Sequence, residues 1–183
     1  ARAGLDVHCV ATSEDAAKLA TEVGLTVVEL DDTLLDLTVD GADEVDPDLN
    51  AIKGYGGALV RERVVAGASR RQVLLVGAEK LVPQLGSRGR IPVEVLSFAV
   101  RFCQRRLREL ALRPEIRMKD GRPFVSDNGN PILDCGTAPL SDPSATERAI
   151  RSIPGVVDTG LFLGTASLIL VADRGTIREL HRS

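Results

Sequence analysis

The residues of this chain that could do chemistry are gathered between positions 40 and 63. Asp40-Gly41-Ala42-Asp43-Glu44 places carboxylates on a turn. Lys53-Gly54-Tyr55-Gly56-Gly57 sets an ammonium beside a glycine-rich loop, and Arg61-Glu62-Arg63 adds another carboxylate on what should be the next helix. Proton transfer on a small substrate needs a positioned base, nearby acids and a cation to hold the charge that develops, and this set supplies all three. The unobstructed N–H groups of the glycine loop, next to a helix start, suit an anionic substrate.

Taken singly, each piece has a plainer reading. Asp-Gly-Ala-Asp is also a turn whose carboxylates bond local N–H groups, a glycine cluster is also a connector, and a Glu between two Arg is also a surface ion pair. Position favours the chemical reading, because Asp40 and Asp43 follow an apolar strand ending at Val39, and ligands gather at the carboxyl ends of strands in open α/β sheets. Lysine occurs only at 18, 53, 80 and 119, the rest of the 23 basic residues being arginine. A chain that prefers Arg and places Lys beside such a loop is using a compact point charge. Lys80, just past the strand ending at Val76, stands on the same rim or is an ordinary exposed lysine.

The elements that must position these residues follow from caps and apolar runs. Val7 to Ala11 reads as a strand and Ser13 as the N-cap of a helix over 14–23 closed by Gly24. Leu25 to Leu30, Leu34 to Val39 and Gln72 to Val76 read as strands, with a helix over 57–67 before the last. Its apolar positions 59, 60, 64 and 65 would face the sheet. Strands separated by helices predict a covered parallel sheet. Beyond Gly86-Ser87-Arg88-Gly89-Arg90 the texture changes. Ile91 to Val95 is a strand, Ser97 to Leu110 an Arg-rich amphipathic helix, and Pro114 to Met118 a strand turning at Lys119-Asp120-Gly121, where Asp-Gly favours a hairpin to 123–127. A strand over 130–134, a helix from Ser141-Asp142-Pro143 to about Ile153 and a strand over 156–159 complete a β-α-β-β-α-β order. The tail, 168–171 and 176–180, returns to the first sheet. The fold class expected is α/β, with a Rossmann-like parallel-sheet domain over 1–86 and 160–183 and a second, smaller ferredoxin-like α+β domain over 87–159.

Composition narrows the function. A chain of 183 residues with 44% apolar content can bury a real core, and its net charge of -3 offers no cationic field for nucleic acid. No apolar run is long enough to cross a bilayer and no leader precedes the first strand, so no membrane role and a cytoplasmic location are expected. Cys9, Cys103 and Cys135 lie far apart, and His8 and His181 are the only histidines. This spacing argues against a disulfide framework, a metal cluster or a Ser/His/Asp triad, so neither metal nor cofactor is expected.

Together these residues resemble ribose-5-phosphate isomerases of the A type. The likeness rests on Asp40-Gly41-Ala42-Asp43-Glu44, Lys53-Gly54 with Gly56, and Arg61-Glu62. It continues through Pro92-Val93-Glu94-Val95, Asp127-Asn128-Gly129-Asn130, Ile132, Asp134, Ile153-Pro154-Gly155-Val156-Val157 and Gly160-Leu161-Phe162. What the resemblance implies is interconversion of D-ribose 5-phosphate and D-ribulose 5-phosphate through a cis-enediolate without a metal. Glu62 would be the base, Asp40 and Asp43 would hold sugar hydroxyls and move the oxygen-bound proton, and Lys53 would stabilise the charge on the carbonyl oxygen. Gly41, Ala42, Gly54, Tyr55, Gly56 and Lys80 would complete the substrate-binding set.

Two departures shape the expectation. The family carries an N-terminal strand and a Thr-Gly-Ser-Thr-like loop that nothing before Val7 matches, which implies an incomplete pocket, weak or absent activity, uncovered strand edges and association into a homo-oligomer, with a dimer as the simplest form. Tyr55 stands where the family commonly has Gly, and its side chain would crowd the loop or cap the sugar. Two rivals remain open: a non-catalytic sugar-phosphate-binding module, which has no need of Glu62, and an acyl-CoA transferase, for which no CoA-binding surface is visible.

Overall fold

The computed structural model describes residues 6–182; residues 1–5, at the start of the first expected domain, and Ser183 lie outside them. β1 (His8–Cys9) leads into α1 (Glu14–Glu22), whose N-cap Ser13 accepts from the Ala16 N–H at 3.0 Å and whose first turn carries Glu14 and Asp15 against the helix dipole. β2 (Thr26–Val27) pairs in parallel with β1 as a two-stranded unit of its own. β3 (Thr38–Gly41), β4 (Glu44–Val45) and β5 (Ala51–Ile52) follow, then α2 (Leu59–Gly67) and β6 (Gln72–Gly77). Asp40 and Gly41 are therefore strand residues, in register with Leu74 and Leu75, and not part of the turn expected for 40–44.

β7 (Arg90–Val95) and α3 (Val100–Glu109) open the second half. β8 (Arg113–Ile116) and β9 (Met118–Lys119) are separated at Arg117, so the strand expected over 114–118 is broken. β10 (Arg122–Pro123) closes the hairpin, with Lys119 opposite Arg122 and both Asp120 and Gly121 at positive φ, 52° and 77°, as an Asp-Gly turn requires. β11 (Ile132–Gly136), α4 (Pro143–Arg151) and β12 (Val156–Thr159) come next, Asp142 capping α4 through the Ala145 N–H at 2.9 Å. β13 (Leu161–Phe162), β14 (Leu168–Asp173) and β15 (Thr176–His181) end the fold.

These elements make an α/β protein. One sheet has the order β15-β14-β6-β3, with β3, β6 and β14 parallel and β15 antiparallel at its edge. A second has the order β12-β7-β11-β8, antiparallel throughout. Its inner face, Ile91, Val93, Val95, Leu133 and Cys135, is fully buried with Cys103 and Leu107 of α3 and Ile150 of α4. The other face carries Arg90, Glu94, Arg113, Glu115, Asp134 and Gly136, because residues two apart on a strand share a face. A third, three-stranded sheet has the order β13-β5-β4.

The join is made at Gly160. Its N–H donates to the Pro92 carbonyl at 2.7 Å and its carbonyl accepts from the Lys53 N–H at 2.9 Å, so this residue is bonded to the second sheet on one side and to the end of β5 on the other. A Cβ here would overlap the Lys53 carbonyl oxygen, so the close approach requires glycine. Replacing fully buried Leu107 by Ala in α3 should lower the unfolding free energy by about 2–5 kcal/mol, read from urea melts, because the sheet beneath cannot collapse into the cavity.

Candidate active site

Three segments converge on one ammonium. β3 carries Asp40 near its carboxyl end, β5 delivers Lys53 immediately after Ile52, and the first turn of α2 presents Glu62. Lys53 is only 2% exposed. Its Nζ lies 2.8 Å from Asp40 Oδ2 and 3.3 Å from Glu62 Oε2, donates to the Gly41 carbonyl at 2.5 Å, and sits 5.5 Å from the centroid of the Phe162 ring. Asp40 Oδ2 and Glu62 Oε2 are buried, and among the described residues the Lys53 ammonium is the partner of both. Each keeps acceptor capacity for a proton from a bound molecule.

Burial pushes the Glu62 carboxyl up to about 7, against the pull of the Lys53 ammonium and with the Asp40 charge adding to the rise. Burial also raises Asp43, while the Tyr55 N–H and the Lys53 charge act the other way. Asp43 Oδ2 accepts that N–H at 2.9 Å, and the Asp43 N–H donates to the Ile52 carbonyl at 2.8 Å. Lys80, half-buried in a short 3-10 turn after β6, is near enough for its charge to favour ionised Asp43. Asp40, Asp43, Lys53 and Glu62 are thus brought together, with Lys80 at the rim. Ala42 packs against the first core and Gly56 is exposed beyond the cluster.

The glycine loop is fixed from the other sheet. Gly54 and Gly57 have φ of 97° and 98°, and a Cβ on Gly54 would come within 2.7 Å of the Leu59 Cβ. Arg117 Nη1 donates to the Gly54 and Tyr55 carbonyls at 2.8 and 3.0 Å, while its Nη2 and Nε hold the Asp134 carboxylate at 2.5 and 3.0 Å. The break falls where the Arg117 main chain passes from β11 to the hairpin, its N–H donating to the Ile132 carbonyl at 2.9 Å and its carbonyl accepting from the Phe124 N–H at 2.8 Å. The Tyr55 side chain is held by Arg90: its hydroxyl donates to the Arg90 carbonyl at 3.3 Å, and the Arg90 guanidinium stacks on its ring at 4.0 Å.

α2 differs from its expected orientation. Leu59 and Val65 are buried, Val60 is half-buried and Val64 is 51% exposed, because Leu59, Glu62 and Val65 share the inner face at three-residue spacing. The flanking arginines ignore Glu62. Arg61 donates to Asn128 Oδ1 at 3.1 Å and the Asp127 carbonyl at 2.9 Å. Arg63 bonds the Asp158 carboxylate and the Thr159 and Leu161 carbonyls, and stacks on Phe162 at 4.3 Å. Between them these contacts hold the helix with Glu62 aimed at Lys53. Sequence reasoning also gave no task to Glu44, which is fully buried and accepts the Gly86 and Arg88 N–H groups at 2.7 and 2.8 Å, pinning the loop before β7. Its place in the Asp-Gly-Ala-Asp-Glu motif was the one signal.

Residues 8–176 match the family model for ribose 5-phosphate isomerase A (phosphoriboisomerase A). The chain belongs to the ribose-5-phosphate isomerase A family. It is 48% identical over 174 residues to ribose-5-phosphate isomerase A of Roseiflexus sp. (strain RS-1), covering 94% of this chain and 75% of that one. Ribose 5-phosphate isomerase from Plasmodium falciparum superposes with a TM-score of 0.93 at 35% identity, over 97% of this chain and 79% of that one. A D-ribose-5-phosphate isomerase in complex with phospho-erythronic acid is equally similar, with a TM-score of 0.93, 35% identity, and 97% and 79% covered.

In this isomerase-family chain the Arg63 anchor should be measurable. Asp158→Ala would remove the carboxylate on Nε of a mostly buried guanidinium and leave Glu147, 3.4 Å from Nη1, as its anionic partner, lowering stability by about 1.5–3 kcal/mol in denaturant titrations. A loss below 1 kcal/mol would mean that Glu147 and the two carbonyls hold Arg63 without Asp158.

Proposed function

We infer that this chain interconverts D-ribose 5-phosphate and D-ribulose 5-phosphate by moving a proton between C1 and C2 through a cis-enediolate. The observation that carries the reading is the buried Glu62 carboxylate, held 3.3 Å from the Lys53 ammonium and raised to about 7. A base poised near neutrality is well matched to proton abstraction beside a carbonyl.

In the aldose-to-ketose direction Glu62 takes the proton from C2, and the electron pair moves into the C1–C2 bond as charge develops on O1. Lys53, buried beside that position, stabilises the charge without having to reorganise solvent. The proton carried by Glu62 returns to C1 while the O2 hydroxyl gives up its own and becomes the ketone. Asp40 and Asp43 hold the hydroxyls and relay the oxygen-bound protons, their environments being set by Lys53 and the Tyr55 N–H. Lys80 adds a charge at the rim for an anionic substrate, while the Tyr55 and Gly57 N–H groups of the loop are taken up within the fold by Asp43 and the Gly54 carbonyl. A non-catalytic sugar-phosphate module would have no use for a base whose proton affinity is tuned by burial.

The parallel run of β3, β6 and β14 supports the Rossmann-like reading of the first unit, 1–86 with 160–183. The order β12-β7-β11-β8, with α3 and α4 on one face, supports the ferredoxin-like reading of 87–159. Exposed Leu37 and Val39, at the edge strand β3 and just before it, favour association of this chain with a second copy.

Glu62→Gln should lower kcat by roughly 10²- to 10⁴-fold in a coupled isomerase assay while ribose 5-phosphate still binds; full turnover would remove Glu62 as the base. Because the base works unprotonated, kcat should rise as pH climbs through about 7 and then level off. A profile already flat from pH 5 would contradict this assignment.

A further inference from the structure

A cleft of about 610 Å3 lies across the Tyr55 ring from the catalytic cluster, on the helix-free face of the second sheet. Its floor is a row of three residues on adjacent strands: Arg90 of β7 and Arg113 of β8 each stand in register with Gly136 of β11. Strand spacing sets the two arginine Cα atoms roughly 10 Å apart on one face, with no side chain between them. Gly136 does not have a positive φ, so its backbone does not require glycine. What its bare Cα leaves is room, and Arg113 leans into it: a Cβ on residue 136 would lie 3.2 Å from Arg113 Nε and Nη2.

The charges do not balance. Asp134 already binds Arg117 through both oxygens and stands 3.5 Å from Arg90 Nη1. Glu115, on the next row, is exposed to solvent. Among the described residues Arg113 has no carboxylate within ion-pair distance, which leaves guanidinium donors from two strands facing a shared gap. Ile116, Met118 and the Tyr55 ring form an apolar wall beside that gap, and the cleft has room for more than a bare oxyanion.

We propose that this cleft is a second anion site, distinct from the isomerase centre, which seats a phosphate-class dianion over Gly136 between Arg90 and Arg113. Planar guanidinium forks on opposite sides of a tetrahedral oxyanion give directed, charge-assisted hydrogen bonds. The same chemistry is offered by free phosphate and by the phosphoryl end of a monoester, and the apolar wall would distinguish them.

Calorimetric titration of the whole chain with inorganic phosphate and with phenyl phosphate tests this. Two variants address the floor without touching Asp40, Asp43, Lys53 or Glu62: Arg113→Gln removes donors, and Gly136→Val fills the gap at constant charge. Each should weaken binding of the probe by about tenfold or more, as expected for a lost charge-assisted hydrogen bond, with turnover in the coupled assay unchanged. Tighter binding of phenyl phosphate than of phosphate identifies a monoester as the ligand; equal binding identifies free phosphate. The site is overturned if the unaltered chain binds neither probe, or if both variants bind as it does, which would place the anion at the catalytic cluster.

Discussion

A buried ammonium is the constraint from which the rest of this structure follows. Lys53 could not be 2% exposed without anions to replace water, and Asp40 and Glu62 could not be buried beside each other without a cation between them. Their mutual dependence forces the end of β3, the residue after β5 and the first turn of α2 to a common point. The Phe162 ring lies within cation–π distance of both Lys53 and Arg63, so one aromatic side chain contacts the buried ammonium and the guanidinium that anchors α2. Residues that never approach the substrate are therefore fixed by the requirement to keep Lys53 dry and neutralised.

The second sheet belongs to this arrangement as much as the first. Arg117 extends from the break between β8 and β9 to the Gly54 and Tyr55 carbonyls, and Asp134 holds it in line from β11. Since the Tyr55 N–H, in the same peptide group as the Gly54 carbonyl, binds Asp43, the orientation of that carboxylate is set by a residue on another sheet. Arg61 and Arg63 do the same for α2 through Asp127, Asn128 and Asp158. Such contacts span long stretches of sequence, and each uses a planar guanidinium to satisfy several acceptors at once.

Local chemistry was legible in the sequence where local physics decides. The Ser13 and Asp142 caps, the Asp120-Gly121 hairpin and the bounds of β12 follow from side chains acting on their own neighbourhood. The carboxylates and the ammonium that converge, Asp40, Glu62 and Lys53, were visible as a set because they fall within a short stretch of sequence. Hidden from view were β4 and β5, two residues each, too short to show alternation. The rotation of α2 was also missed, because burial of a charged Glu62 in place of Val64 depends on Lys53 arriving from another segment. The direction of the Tyr55 ring was equally invisible, being fixed by Arg90 across the fold.

Gly160 has one more effect. With its N–H tied to Pro92 and its carbonyl to Lys53, the backbone at this point is welded on both sides. A hinge that parted the two halves of the molecule here would have to tear the main chain of Lys53 from its neighbour. Any movement of the Pro92 main chain away from Lys53 would have to break one of these two bonds, so a strand of the second sheet and the residue that carries the ammonium are tied through a single side-chain-free link.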